Sequence, residues 1–253
     1  MQPTNSVIGF IPARLNSTRL PRKPLLPIAG RAMIERVYEG ARPCRRLSEL
    51  WIATDSEEIA AYCRARQMPV KLTSTRPRSG SDRILEALAG MPAEAVVNIQ
   101  GDEPMVRPEM IDCLLDALFA RPEMEVATLR IRMGEAASGS APAATEAASP
   151  AAVKVVCDRR GQALYFSRST IPFPRGGAAT WWKHLGYYAY SRAALERFAE
   201  LPAGELEIAE QLEQLRFLEN GIGIAVGDSP CDTVGVDTRA DLERAERYFR
   251  QQQ

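Results

Sequence analysis

Apolar residues along this chain fall into two alternating rhythms. Short β-branched or apolar runs at "SVIGFI" (6–11), "LWIAT" (50–54) and "AVVNIQ" (95–100) predict strands. Segments of helical period lie between them. Met33, Ile34, Val37, Tyr38 and Ala41 recur at that spacing within 31–41, and Ile84, Leu85 and Leu88 do so behind Ser81, the expected cap. Repeated β-α units of this kind predict an α/β fold, a largely parallel sheet with helices on both faces. Further on, "AAVKVVCD" and "QALYFSR" predict a pair of strands and "HLGYYAYS" another, followed by a helical stretch "ELEIAEQLEQLRFLENG" that stops at Gly221. A last helix from about Arg239 carries Leu242, Ala245 and Tyr248 on one face. The Ala/Ser/Gly/Pro-rich segment 134–150 has no strand periodicity and is expected to be a flexible surface loop without chemistry.

Composition narrows the class. With 253 residues, 25% charged and 45% hydrophobic, the chain is expected to form one ordinary globular domain. Its 32 basic and 32 acidic side chains cancel, which argues against a general nucleic-acid binder and makes any positive site a local one. Cys44, Cys63, Cys113, Cys157 and Cys231 are odd in number and lack a CxxC pair, so neither a disulfide framework nor a zinc site is indicated, and a reducing cytoplasm is expected. "MQPTNSVIGF" lacks the marks of a secretory signal, and no apolar run has the length to span a bilayer, so neither export nor membrane insertion is expected.

Against that neutral background, "IPARLNSTRLPRKPL" (11–25) gathers Arg14, Arg19, Arg22 and Lys23 with no acidic residue among them. A solvated basic loop is the simplest explanation. The loop follows a predicted strand, however, and ligands of open α/β sheets sit beyond the carboxyl ends of strands. Cations there, just ahead of a helix, suit a polyphosphate, above all a triphosphate. Neither GxxxxGK[ST] nor GxGxxG is present, so a different nucleotide-binding class is needed.

Two acidic segments complement the loop. "NIQGDEP" (98–104) ends a strand with Gln100, Asp102 and Glu103, and "TVGVDT" (233–238) ends an apolar run with Asp237. Carboxylates about 4 Å apart repel by about 4 kcal/mol at an effective dielectric constant of about 20, so convergence of the two implies a cation between them. Oxygen ligands of this type suit Mg²⁺ shared with substrate phosphates. Each Asp is equally open to a capping role, Asp237 especially, since Thr238 and a helix follow it. His184, the only histidine, shares a predicted strand face with Gly186, Tyr188 and Tyr190, and a lone histidine is usually structural. Spacing alone makes Glu213 and Gln214 the polar side of an amphipathic helix.

Taken in order, "IPARLNSTRLPRKPL", "VVNIQGDEP", "VKVV", "ALYFSR", "HLGYYAY", "LEQLR" and "GVDT" closely resemble the 3-deoxy-manno-octulosonate (Kdo) cytidylyltransferases over nearly the whole chain. Molybdopterin and isoprenoid nucleotidyltransferases, with different glycine-rich loops, fit less well. The resemblance implies a Rossmann-like mixed, mostly parallel sheet in one domain over 1–253, with a sugar-binding and dimerisation subregion at about 150–220. It implies a cytoplasmic homodimer that uses Mg²⁺ to transfer CMP from CTP to Kdo for lipopolysaccharide synthesis, releasing pyrophosphate. By that resemblance Arg14, Arg19 and Lys23 bind the CTP phosphates, while Asp102 and Asp237 hold the metal. Ala13, Ser79, Arg83 and Gln100 lie around cytosine and ribose, and Arg168, His184, Tyr188, Glu213 and Gln214 line the sugar-acid pocket. Arg14, Lys23, Asp102 and Asp237 form the catalytic set, with no general base assigned.

The chain departs from the family pattern at two places. "PRSGSDR" (77–83) has Pro77 and Arg78 where histidine and glutamine are usual, and "PAAVKVV" (150–156) has Ala151 in place of an asparagine. These changes bear on nucleotide preference and on sugar contacts, and they leave open an 8-amino analogue of Kdo or another 2-keto acid as acceptor. A non-catalytic nucleotide-binding relative is the rival of another class. Trp181 and Trp182 are open to core, lid or interface packing.

Overall fold

The computed structural model describes residues 6–17, 19–77, 79–134, 143–177 and 179–252. In chain order, β1 (Val7–Ala13) leads through a 3₁₀ turn (Lys23–Leu25) to β2 (Pro27–Ile28), β3 (Arg31–Ala32), α1 (Met33–Ala41), β4 (Glu49–Thr54), α2 (Glu57–Ala65) and β5 (Val70–Leu72). Then come α3 (Gly80–Ala87), β6 (Ala95–Asn98), α4 (Pro108–Phe119), β7 (Val126–Arg132), α5 (Ala143–Ala148), β8 (Lys154–Cys157) and β9 (Ala163–Ser167). The chain continues with β10 (Trp182–Ser191), α6 (Arg192–Glu200), α7 (Glu205–Glu210), α8 (Leu215–Glu219), β11 (Ile224–Asp228) and α9 (Arg239–Arg250). It forms two compact units, one of 1–111 with 233–253 and one of 112–232.

In the first unit β1 pairs in parallel with both β4 and β6, and β4 pairs in parallel with β5. A strand flanked on both sides and covered on both faces reads as a continuous apolar run, and Val7, Ile8, Phe10 and Ile11 are all buried. Because β1 and β6 run the same way, with Phe10 opposite Asn98, the loops that leave them emerge at one edge of the sheet. Gly101 allows those loops to close on each other. A Cβ there would stand 2.6 Å from the carbonyl oxygen of Pro12, too near for any side chain.

An apolar cluster lies beneath that edge. Leu20 of the basic loop, Ile28, Met33, Met105, Val236, and Leu242 and Ala245 of α9 pack together. Val236 also donates its N–H to the carbonyl of Asp102 at 2.9 Å. Burial of such side chains stabilises by about 1.5–3 kcal/mol each, so segments far apart in sequence are held together by non-directional forces, leaving their polar ends free to face one another.

The second unit is a mixed sheet: β11 is parallel to β7, β7 is antiparallel to β10, and β8 is antiparallel to both β10 and β9. The expected α/β class, with parallel pairing dominant in the first unit and the strand pair β8–β9 in the second, is what the chain forms. Three local expectations are corrected. The cap of α3 is Ser79, whose hydroxyl accepts from Asp82 N–H while Asp82 accepts from Ser79 N–H; Ser81 lies inside the helix, buried. The helix expected over 205–221 is two helices, α7 and α8, because Gln211 takes a left-handed conformation (φ 53°) that ends the first. Within 134–150, residues 143–148 are helical as α5, and 135–142 lie outside the described residues.

Candidate active site

The edge beyond β1 and β6 carries the expected charges. Lys23 begins the 3₁₀ turn, with Arg22 before it in a left-handed conformation (φ 56°) and Pro24 behind it. This turn sends the lysine side chain inward, where it is 11% exposed, and its Nζ meets Asp102 Oδ2 at 2.7 Å and Asp237 Oδ1 at 2.8 Å. Arg19 Nη2 reaches the same Asp237 oxygen at 3.0 Å. Burial pulls the Lys23 ammonium down, but Asp102 and then Asp237 outweigh it and hold its pKa above the ordinary 10.5. The two carboxylates do converge, and the cation between them is an ammonium. Capping belongs to Thr238, which forms a reciprocal pair with Asp241 at the start of α9 and leaves the Asp237 carboxylate to the cations.

The remaining nucleotide candidates surround the same edge. Ala13 is the buried last residue of β1, and Arg14 beyond it donates from Nη2 to the carbonyl of Pro77 at 2.9 Å, joining this loop to the start of α3. Gln100 lies in the turn after β6, its carbonyl accepting from Glu103 N–H at 3.2 Å. Arg83 is 1% exposed; its guanidinium donates to Asp55 at 2.8 Å and to the Thr73 hydroxyl, which leaves Nε buried without a partner among the described residues. Arg22 pairs instead with Glu58 on the surface. Arg78 lies outside the described residues.

The sugar candidates gather in the second unit. A bulge interrupts the pairing of β10 between Leu185 and Tyr188, yet His184, Tyr188 and Tyr190 lie ring against ring on one face as expected, with centroids 5.6 and 5.7 Å apart, and Tyr187 is buried as well. Thr128 Oγ1 donates at 2.8 Å to the Tyr187 carbonyl that the bulge displaces and lies 2.9 Å from His184 Nε2, which is itself 3.1 Å from the Tyr188 hydroxyl. Burial pushes the His184 pKa down to about 3, so the ring is neutral at pH 7. Burial, then Tyr190 and the Glu213 charge, raise the Tyr188 phenol well above 10. Gln214, at the N-terminal cap of α8, is buried, and its Nε2 has no hydrogen-bond partner among the described residues. Arg168 spends its guanidinium on backbone carbonyls, Nε to Glu210 at 2.8 Å and Nη1 to Pro150 at 3.1 Å, and so ties the end of β9 to the elbow ahead of Glu213. Trp181 donates to the Pro172 carbonyl and Trp182 lies under the Arg130 guanidinium, both packing within their own unit.

Four further residues support this arrangement and were not singled out from sequence. Asp55 holds Arg83, and Thr128 completes the His184–Tyr188 group. Lys154, fully buried, donates to the carbonyls of Ser149, Ala152 and Arg168. Asn98, buried at the end of β6, has an Oδ1 without a partner among the described residues. For Asp55 a signal existed: "IATD" places it just past β4, the position relative to its strand that drew attention to Asp102.

The donor set at Lys23 fits a divalent ion. Two carboxylate oxygens already share one stand-in cation, and Mg²⁺ held by two protein carboxylates takes its other ligands from phosphate oxygens and water. With paired acids, clustered cations and an α/β sheet edge, the site is that of a nucleotidyltransferase, and residues 8–224 match the family described as cytidylyltransferase. The chain belongs to the 3-deoxy-manno-octulosonate cytidylyltransferases. It is 47% identical over 249 residues to the enzyme of that name from Koribacter versatilis, covering 98% of this chain and 91% of that one. It is 42% identical over 249 residues to that of Escherichia coli, covering 98% of each. Among solved structures, CMP:2-keto-3-deoxy-manno-octonic acid synthetase complexed with CTP superposes with a TM-score of 0.91 at 40% identity, covering 98% of this chain and all of that one. A 4-diphosphocytidyl-2C-methyl-D-erythritol synthase from Anaerococcus prevotii, 12% identical with a TM-score of 0.63 and 98% and 97% coverage, shares the fold.

The buried neutral histidine has a thermodynamic signature. An unfolded chain binds a proton at His184 below about pH 6.5 and the native state does not until about pH 3, so this residue's contribution to stability is present above 6.5 and lost as pH falls between those values. Urea unfolding of wild type and His184→Gln between pH 6.5 and 4.5 is expected to differ in slope by close to one proton, about 1.4 kcal/mol per pH unit, with the variant less acid-sensitive. Parallel slopes contradict a neutral buried imidazole.

Proposed function

We infer that this chain transfers CMP from CTP to the anomeric hydroxyl of Kdo, releasing pyrophosphate. The observation that carries the reading is the convergence of Lys23 and Arg19 on Asp102 and Asp237, at a sheet edge of a chain 47% identical to a named Kdo cytidylyltransferase. Arg14, Arg19 and Lys23 bind the triphosphate, as fixed cations suit charge that builds on phosphoryl oxygens during transfer. Asp102 and Asp237 hold Mg²⁺. When bound, it neutralises charge on the phosphates and on the departing pyrophosphate. Ala13, Ser79, Arg83 and Gln100 receive the cytosine and ribose, the unpartnered Nε of Arg83 being a donor suited to a base or sugar oxygen.

The acceptor's carboxylate and hydroxyls fall to Arg168, His184, Tyr188, Glu213 and Gln214. A neutral His184 with a pKa of about 3 is a weak base, so its part is to orient a hydroxyl by hydrogen bonding. The Nε2 of Gln214 is a ready donor to the sugar acid. In the transfer itself, the acceptor oxygen bonds to the α-phosphorus as its proton passes to water, and the bond from that phosphorus to the β-phosphate bridge breaks, pyrophosphate leaving with the electron pair. Positioning supplies much of the rate.

Asp102→Asn and Asp237→Asn are each expected to lower pyrophosphate release from CTP and Kdo by about 10²-fold or more while leaving circular dichroism unchanged. Near-normal rates in both refute the metal assignment, and wild-type silence across a panel of 2-keto sugar acids, including the 8-amino analogue of Kdo, refutes the activity.

A homodimer and a cytoplasmic location belong to the same reading. Leu164 (61% exposed), Phe173 (80%) and Ile208 (60%), all in the second unit, support a partner surface there. Among the described residues no cysteine is in a disulfide and no helix is long and apolar enough to cross a membrane. Light scattering is expected to give twice the chain mass at working concentrations; a monomer mass contradicts the dimer.

A further inference from the structure

We propose that Lys23 is a resident counter-ion that closes the metal position until nucleotide arrives, so that the divalent ion binds tightly only together with CTP. The proposal rests on the assignment of Asp102 and Asp237 as metal ligands.

The geometry carries it. Lys23 Nζ stands 2.7 Å from Asp102 Oδ2 and 2.8 Å from Asp237 Oδ1, one oxygen of each carboxylate assigned to the metal. Mg²⁺ approaches oxygen ligands at about 2.0–2.1 Å, so an ion between this pair would occupy space the ammonium already fills. Two cations cannot share that space, and Arg19, 3.0 Å from Asp237, adds further positive charge against a third. The carboxylates are therefore satisfied without metal. Their convergence, which from sequence alone implied a cation between them, is met by the chain itself.

The same loop is built to let the ammonium go. The backbone at Lys23 is held by the 3₁₀ turn, by Pro24 behind it and by the left-handed Arg22 before it, so the main chain stays and the four-carbon side chain is what turns. A triphosphate offers the ammonium a partner of higher charge than either aspartate. Once Lys23 Nζ and Arg19 move to phosphate oxygens, Asp102 and Asp237 are left facing each other, and their repulsion favours a divalent ion in the vacated place. Nucleotide then raises metal affinity, and by linkage metal raises nucleotide affinity by the same factor. Lys23 thus has two positions, and the exchange between them couples the two ligands.

Mn²⁺ titration followed by electron paramagnetic resonance on the full chain, without nucleotide, reads this directly. Wild type is expected to bind Mn²⁺ weakly, and Lys23→Met, which keeps the length of the buried stem and removes the charge, to bind it about tenfold tighter or more. Lys23→Met combined with Asp102→Asn is expected to lose that gain. Lys23→Gln repeats the measurement should the methionine variant unfold. Equal Mn²⁺ affinity in wild type and the charge-free variant overturns the counter-ion role. A companion titration with CTP separates the two readings. If CTP-dependent Mn²⁺ binding depends on Asp102 but Lys23→Met shows no gain, only this proposal fails; if Asp102→Asn leaves that binding unchanged, the metal assignment fails and this proposal with it.

Discussion

The structure turns on one electrostatic constraint: two carboxylates from segments far apart in sequence are held close enough to share a single ammonium. Left alone, acids about 4 Å apart cost about 4 kcal/mol at an effective dielectric constant of about 20, and no isolated loop would adopt that arrangement. It persists because apolar packing beneath enforces it. Leu20, Met105 and Val236 each lie within a few residues of Arg19, Lys23, Asp102 or Asp237 and are buried in one cluster with α1 and α9. Hydrophobic burial thus fixes where the charges stand, and Lys23 makes their closeness tolerable. That division of labour explains why residues 233–253 belong to the first unit although 112–232 intervene in sequence.

The second unit solves a different problem with different means. Its candidate pocket is hydrogen-bonding and largely uncharged at its base, where Thr128, His184 and Tyr188 are buried against one another and desolvation keeps both the imidazole and the phenol neutral. Charge is used there as scaffolding. Arg168 and Lys154 donate to backbone carbonyls and so set the elbow at Gln211 and the loop at 149–152, from which Glu213, Gln214 and Ala151 are presented. A pocket held in this way can recognise a polyol by geometry, because its donors and acceptors are fixed before the ligand binds.

Much of this was legible in the chain, for physical reasons. The runs that became β1, β4 and β6 are apolar because they are buried, and the basic loop stood out because its charge is uncompensated locally. Asp102 and Asp237 were legible as carboxylates at ends of apolar runs. What periodicity could not carry was the partner of each charge: nothing in "LPRKPL" says that Lys23 turns inward to both aspartates, or that Arg83 is committed to Asp55 and Thr73. Helical spacing continues unbroken through Gln211, yet a single positive φ ends α7 there, since the pattern of apolar residues records faces and not backbone sign. The alternation of "HLGYYAY" did bring His184, Tyr188 and Tyr190 onto one face, but it concealed the bulge between Leu185 and Tyr188. Glu213 and Gln214 owe their place to that elbow and were found only through the family resemblance.

On the proposed function, the basic loop and the two aspartates serve one bound triphosphate. The most direct measurement is a crystal structure with CTP and Mn²⁺, read by anomalous scattering. One manganese peak bonded to Asp102, Asp237 and a phosphate oxygen is expected, with Arg14, Arg19 and Lys23 against the remaining phosphate oxygens. Triphosphate density lying away from this loop, or manganese that touches neither aspartate, would contradict it.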